Sequence, residues 1–218
     1  MIYSIIIPVY NSEETLEKLI TEISKNIRLF SQSYEIILVD DCSIDGSYEK
    51  LKNLKKKDKR IKLYRNRLNI GQHKSIQLGL IRAKGKKMFV MDCDLQDDPK
   101  YFSKFINKYN KNKNTVVGLA NKKSYNKGFS SYIFWSLLNF ISKKKFYLNI
   151  TTFALIPLID VKKIIKSKNF ILLYGELVIN NINIDFINIV KKKRKNGTSA
   201  YNFIKCLLMG FNIFRRYL

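Results

Sequence analysis

The sequence predicts an α/β fold built on a doubly wound, mostly parallel sheet. Two observations carry that prediction. Short apolar runs of strand length alternate with amphipathic stretches of helical period through the first half of the chain. Polar clusters then recur at the ends of those runs, the edge at which such sheets bind their ligands. The 218 residues are enough for one domain with a substantial core. We divide them into a domain over 1–201, with halves at 1–110 and 111–201, and a C-terminal amphipathic helical element over 202–218.

The first run, Ser4 to Val9, suits a strand buried on both faces. Ser12-Glu13-Glu14-Thr15 offers an N-cap with Glu close behind it, and Leu16, Leu19, Ile20, Ile23 and Ile27 follow at helical spacing. A second run, Glu35 to Val39, ends in Asp40-Asp41, and a helix is expected across Ser47 to Lys56. The alternation continues with a strand near Ile61 to Tyr64, a helix from Gly71 to Ala83 and a strand from Lys87 to Met91 ending in Asp92. Right-handed crossovers between parallel strands follow from this order. Beyond Pro99 we expect a helix to about Tyr109, a strand near Thr115 to Leu119, an amphipathic helix from Ser130 to Ile141 and a strand within Ile182 to Val190. The basic run from Lys191 to Lys195 leads into Gly197-Thr198-Ser199-Ala200-Tyr201. A last helix from Asn202 to Leu218 would gather Phe203, Leu207, Phe211 and Phe214 on one face, with Lys205, Arg215 and Arg216 nearby, in the manner of an interfacial helix.

Composition removes several classes. An apolar fraction of 46% with few Gly and Pro argues against disorder and fibrous repeats. Apolar runs such as Ile133-Phe134-Trp135 and Cys206-Leu207-Leu208-Met209 fall far below the roughly 18 to 20 residues of a membrane span, and no signal peptide precedes the first strand, so a cytoplasmic protein is expected. Cys42, Cys93 and Cys206 are widely spaced and His73 is the single histidine, which disfavours disulfides and a zinc site. The formal charge of +24 would attract any polyanion: nucleic acid, anionic lipid or phosphorylated substrate. An A/T-rich coding sequence would give the same abundance of Lys, Ile and Asn.

Three polar clusters sit at predicted strand ends: Tyr10-Asn11, Asp40-Asp41 and Asp92-Cys93-Asp94. Two carboxylates one residue apart, beyond a buried strand, can hold a hard divalent cation through oxygen and so neutralise a diphosphate leaving group. By itself the pair is also compatible with a solvated acidic turn in which Asp97 or Asp98 caps the helix after Pro99.

Four segments together go further. Ser4-Ile5-Ile6-Ile7-Pro8-Val9-Tyr10-Asn11, Val39-Asp40-Asp41-Cys42-Ser43-Ile44-Asp45-Gly46-Ser47, Asn69-Ile70-Gly71-Gln72-His73-Lys74 and Met91-Asp92-Cys93-Asp94-Leu95-Gln96-Asp97 resemble, in order, the signatures of family 2 glycosyltransferases. The Asp-x-Asp-Leu-Gln-Asp form is similar to the branch of dolichol-phosphate mannose synthases and bacterial polyprenyl-phosphate and O-antigen sugar transferases. The resemblance covers Ile2 to about Tyr109 and resumes at Arg194 to Tyr201.

This resemblance implies a Rossmann-like GT-A fold with a nucleotide-sugar-binding half (1–110) and an acceptor-side half (111–201). Tyr10 would stack on the nucleotide base, with Pro8 and Asn11 in the same segment. Asp41 would accept from a base N–H, supported by Asp40. Asp92 and Asp94 would bind the ribose and the metal diphosphate, the metal being Mg2+ or Mn2+, with Gln96 as a further metal-side ligand. Asn69, Gly71 and Lys74 would meet a phosphate or ribose at a helix start, while His73 is not read as a base. Arg194 would clamp phosphate oxygens with help from the Ser199 hydroxyl, and Asp94 and Arg194 would carry catalysis by stabilising the departing nucleoside diphosphate.

Two departures from the family pattern stand out. Many relatives carry Arg immediately before the Asn at 69, where this chain has Leu68, so that contact comes from Arg65 or Arg67 or is missing. Thr151-Thr152-Phe153-Ala154-Leu155 stands where relatives often place Asp-Phe or Asn-Phe ahead of an acceptor-site helix, so a carboxylate base is missing there. A phosphate acceptor needs no base, whereas a hydroxyl acceptor does, and Glu176 is then the substitute. The implied function is inverting, metal-dependent transfer from a nucleotide sugar to a lipid-linked acceptor, a polyprenyl phosphate or lipid-linked glycan, in cell-surface polysaccharide or glycolipid synthesis. The protein would work on the cytoplasmic face of the membrane, held peripherally by anionic lipid or a membrane partner. The rival readings are a catalytically weakened sugar-nucleotide binder, suggested by Leu68 and Thr152, and a nucleic-acid-binding module. Charge alone suggests the second, without an RNA-binding signature or zinc-finger spacing.

Overall fold

A computed structural model of the chain describes residues 1–121, 147 and 149–192. The expected helix over 130–141, the element over 202–218, Arg194 and Ser199 lie outside the described residues. Seven strands, β1 (Tyr3–Val9), β2 (Tyr34–Asp40), β3 (Ile61–Arg65), β4 (Lys87–Val90), β5 (Thr115–Ala120), β6 (Ile150–Pro157) and β7 (Ile184–Ile189), form one sheet in the order β3-β2-β1-β4-β6-β5-β7. The described helices of a full turn or more are α1 (Glu13–Ile27), α2 (Ser47–Lys57), α3 (Gln72–Arg82), α4 (Phe102–Asn112), α5 (Leu158–Ile164) and α6 (Leu173–Ile179). The sheet is mostly parallel, as expected; β6 alone runs against its neighbours β4 and β5.

The strands of the first half read as continuous apolar runs because both faces of the sheet are covered. Ile5, Ile7 and Val9 pack with Leu16, Leu19 and Ile23 of α1, Leu51 of α2 and Phe102 and Phe105 of α4. Ile6, Ile37 and Val39 point the other way, onto Ile76 and Leu80 of α3 and onto Val161, Ile164, Leu173 and Leu177 of the two short helices. Gly79 allows α3 to lie directly on β1, since a Cβ there would collide with the Ile6 side chain. Each buried Ile or Leu contributes roughly 1.5–3 kcal/mol of transfer free energy.

Strand β6 and helices α5 and α6 were not expected from the pattern. The apolar run of β6 is buried from Phe153 onward and has no alternation to read, and the family pattern puts a helix after this stretch. The two helices have seven residues each, too few to display a period. At the start of α1, Ser12 does not cap with its side chain. Its hydroxyl turns back to the Tyr10 carbonyl (2.9 Å), and the Glu13 N–H is met by Asp45 Oδ2 (3.3 Å) instead.

From β1 the chain lays β2 and β3 to one side and then crosses to place β4 on the other. The β1–β4 seam is thus the point where strand order reverses, and a ligand crevice belongs there. Its opening is written in the backbone. Pairing with β4 ends at Ile6–Val90, with Met91 N donating to Ile6 O (3.2 Å), while pairing with β2 continues to Val9–Asp40. Two residues past Ile6, on the same side of a ladder of period two, stands Pro8, which has no N–H to offer. A proline in this central strand is tolerated because β4 has already turned away.

Candidate functional site

Four loops leave the carboxyl ends of β1, β2, β3 and β4 side by side. Each contains or adjoins a residue in the left-handed region: Asn11 (φ 47°), Cys42 (φ 61°), Gly71 (φ 94°) and Leu95 (φ 62°). Such conformations are costly outside glycine and persist where surrounding bonds fix them. The first two loops are tied by Asn11, whose N–H donates to Ser43 Oγ (3.1 Å) and whose Oδ1 accepts from Ile44 N (3.0 Å). Tyr10 stands beside them, 36% exposed.

Asp41, nearly fully buried, staples the third loop. Its Oδ1 accepts from Asn66 Nδ2 (2.8 Å) and Ile70 N (2.9 Å), and its Oδ2 accepts from Gly71 N (2.8 Å). A carboxylate has about four acceptor positions, so these three bonds leave one for a ligand donor. Gly71 combines its positive φ with open space where a side chain would stand, which keeps backbone accessible at the start of α3. Asn69 and Lys74 are exposed on either side of it.

Asp40 is closed off. It pairs with Arg65 Nε (3.1 Å) and is fully buried, so its part is to hold the strand end. The same guanidinium lies over the Tyr48 ring (4.1 Å) and donates to the Ser43 carbonyl (3.3 Å). Of the two arginines expected to stand in for the one missing at position 68, Arg65 is therefore committed elsewhere, and the exposed Arg67 remains.

The fourth loop carries the acidic cluster, and Asp92 is its centre. Asp92 Oδ1 accepts from Gln72 Nε2 (2.6 Å) and Thr152 Oγ1 (2.7 Å), while Oδ2 faces Lys191 Nζ (3.3 Å). Asp94 Oδ1 accepts from Gln96 N (3.1 Å), an Asx turn that, with Leu95, reverses the chain. Asp98 caps the short 3-10 turn Pro99–Tyr101 through Lys100 N (3.0 Å), as an acidic turn would predict. Asp97 does not: it is buried and accepts from Asp92 N (3.1 Å). Among the described residues its other oxygen has no hydrogen-bond partner and faces the charge of Lys191 Nζ at 3.4 Å.

Residues 190–192 are strapped across this loop. Val190 N donates to Tyr101 Oη (3.0 Å), Lys192 N donates to Gln96 O (3.1 Å), Gln96 Nε2 donates to Lys192 O (3.2 Å) and Lys192 Nζ pairs with Asp98 (2.7 Å). Gln96, expected on the metal side, thus has its amide nitrogen engaged with the strap. Burial raises the Asp97 carboxyl to about 7 against the opposing charge of Lys191. Burial also works against the Lys191 ammonium, but Asp97, Asp92 and Asp94 outweigh it and push its pKa up. The Cys93 thiol, pushed up to about 11 by burial, stays protonated beside Ser12 Oγ (3.1 Å).

Two other residues named from the sequence meet the structure. His73, not read as a base, is buried in its helical turn; burial lowers its pKa to about 4, and its Nδ1 accepts from Leu173 N (3.4 Å). Glu176, the substitute base, is fully buried in α6, among the residues that form the second core face. It is not at the surface of an open cleft.

Gln72, Thr152 and Lys191 are partners of Asp92 that the sequence does not mark as such. Gln72 follows Gly71 in a motif, Thr152 is a departure from the family pattern, and Lys191 opens a basic run. No local pattern links position 92 to partners 20, 60 and 99 residues away.

Comparison with known proteins gives the family and the fold. Residues 4–159 match the family model described as glycosyl transferase family 2. An undecaprenyl-phosphate 4-deoxy-4-formamido-L-arabinose transferase of Aeromonas hydrophila is 37% identical over 105 residues, 47% of this chain and 32% of that protein. The chain thus spans about a third of the length of that relative. An uncharacterized glycosyltransferase of Bacillus subtilis, YkcC, is 28% identical over 77% of this chain and 53% of its own length. Among solved structures, glucosyl-3-phosphoglycerate synthase from Mycobacterium tuberculosis, in complex with Mn2+, uridine diphosphate and phosphoglyceric acid, superposes with a TM-score of 0.69 at 13% identity, covering 97% of this chain and 75% of that one. The fold is that of the GT-A glycosyltransferases.

Proposed function

The chain belongs to glycosyl transferase family 2, and from that membership we propose that it moves a sugar from a nucleoside-diphosphate sugar to a polyprenyl-phosphate or related lipid-linked acceptor. The observation that carries the reading is the convergence, at the crevice where strand order reverses, of the Asp41-stapled loop with the loop of Asp92 and Asp94. One loop offers a buried acceptor and accessible backbone to a base or ribose, the other offers carboxylates to a diphosphate. Tyr10 gives the base a stacking surface at the mouth, and Asn69, Gly71 and Lys74 face the phosphates or ribose.

The donor set fits a hard divalent ion. Mg2+ and Mn2+ prefer carboxylate oxygen, and Mg2+ is commonly held by one or two carboxylates together with substrate phosphates. Among the described residues no group of three His, Cys, Asp or Glu is placed to hold an ion. Asp94 would be the main protein ligand, with Asp92, bonded to Gln72 and Thr152, more suited to a ribose hydroxyl. When bound, the ion supplies charge that makes the nucleoside diphosphate a better leaving group. Arg194 and Ser199, in the segment after the strap, would add cationic and hydroxyl contacts to the same phosphates.

An anionic phosphate acceptor needs no general base, which accords with Thr152 where relatives often carry a carboxylate neighbour and with the burial of Glu176. The family's inverting course is part of the proposal: the acceptor oxygen attacks the anomeric carbon on the face opposite the departing nucleoside diphosphate. The similarity to undecaprenyl-phosphate transferases and the charge of +24 support a lipid-linked acceptor at an anionic membrane face. No described helix is long and apolar enough to cross a membrane.

The test is a screen of nucleotide sugars with Mn2+ by thermal stabilisation, followed by transfer to undecaprenyl phosphate. A bound sugar nucleotide raises the melting temperature in proportion to ln(1 + [L]/Kd). No stabilisation by any of them, together with steeply salt-dependent RNA binding, would overturn the reading.

A further inference from the structure

We infer that Lys191 is a resident counter-cation of the 92–98 loop, keeping a divalent ion away from Asp92 while no nucleotide is bound. The inference rests on the proposed sugar-nucleotide site and adds a positioning residue to it.

Lys191 is not a loose surface lysine. Its side chain is 16% exposed and its Nζ lies between Asp92 Oδ2 (3.3 Å) and Asp97 Oδ1 (3.4 Å). The backbone on either side of it is fixed by the bonds of Val190 to Tyr101 and of Lys192 to Gln96. Asp97 needs that charge, because its side chain has no exposure and its Oδ1 has no hydrogen bond among the described residues; a buried carboxylate left uncompensated is strongly unfavourable.

The consequence for Asp92 follows from its occupancy. Oδ1 already accepts two hydrogen bonds, and Oδ2 is the oxygen turned to Lys191. A divalent ion arriving alone at Oδ2 would stand beside an ammonium in a partly buried site, where like charges repel far more than in water. A nucleoside diphosphate reverses the balance, because its phosphates attract both cations. Ion and nucleotide would then bind as a pair, with Asp94 the residue that would hold the ion and Lys191 still paired with Asp97. A purely structural Lys191 would give no such coupling.

The experiment measures Mn2+ binding to the full chain by electron paramagnetic resonance, first alone and then with UDP, GDP or CDP. Melting curves confirm that each variant is folded. Lys191→Met leaves Asp97 uncompensated, so the informative pair is Asp97→Asn against Lys191→Met/Asp97→Asn, in which the buried charge is removed. The double variant should bind Mn2+ alone at least about tenfold more tightly than Asp97→Asn, a change well above the roughly twofold scatter of context effects, and Lys191→Arg should resemble the wild type. Equal Mn2+ affinity in the two members of the pair overturns the inference, as does a wild type that binds Mn2+ as tightly alone as with nucleotide when one of the nucleotides is shown to bind. Failure of every nucleotide to bind, with or without Mn2+, would sink the proposed function instead, and the Mn2+-only comparison would still decide the role of Lys191.

Discussion

The halves of this sheet use their residues differently. From β1 to β4, each strand end delivers its own polar loop to one edge, and the loops are bonded chiefly to one another: Asn11 to Ser43 and Ile44, Asp41 to Asn66, Ile70 and Gly71. From β5 to β7 the described polar side chains do other work. Thr115 bonds Asp160, Asn112 bonds Asp185, and Glu176 is enclosed in the core. What the second half gives the site is Thr152 on Asp92, the Leu173 N–H on His73 and the strap of residues 190–192 across the 92–98 loop. One half builds the pocket, and the other tensions it.

The sharpest test of that division is Asp94→Ala, which should lower transfer by about 10²- to 10³-fold if charge at the diphosphate is what this loop supplies. Steady-state transfer with Mn2+ measures it, and an unchanged kcat would remove the loop from catalysis.

A second test probes the tie between the halves. The folded-state pKa of His73 is depressed to about 4 from 6.5, so the unfolded chain binds the extra proton more readily. The stability this gives is present above about 6.5 and is lost as pH falls through about 4, up to roughly 3 kcal/mol in all. Asp97, raised to about 7 from 3.8, acts in the opposite sense. The difference between wild type and His73→Gln therefore isolates the histidine, and urea unfolding at pH 7, 5.5 and 4 should show the gap changing with pH. A constant gap would mean that the histidine is not held neutral.

Asp41→Asn should cost about 1.5–3 kcal/mol, the value of hydrogen bonds to a charged acceptor, and should weaken nucleotide binding, both readable by melting with and without ligand. Loss of stability without loss of binding would make the staple purely structural. At the small end, Glu176→Gln should leave kcat within about twofold, whereas removing a true general base costs about 10²- to 10⁴-fold.

The legibility of the sequence follows the same division. The alternation from Ser4 to Asp92 gave strands and helices close to those observed, because each unit is local and its period visible. The positions of Tyr10, Asp41, Asp92 and Asp94 at adjacent strand ends were readable for the same reason. The inner ligands of Asp92 were not, because Gln72, Thr152 and Lys191 come from α3, the antiparallel β6 and the exit of β7. Their meeting is fixed by strand order, which no short pattern encodes. The burial of Glu176 was equally hidden, since α6 is too short to reveal which of its faces is covered.

The strap over residues 92–98 also sets an order in time. Asp92 and its counter-charge are 99 residues apart, so at ribosomal speeds of about 5–20 residues per second the lysine emerges roughly 5 to 20 s after the aspartate. Through that interval the early strands can pair and the Asp41 staple can close, yet Asp92 and Asp97 lack the ammonium that faces them in the finished site. The pocket is therefore assembled early but armed late, and a nascent chain that has made its first four strands does not yet have the charge arrangement of the finished site.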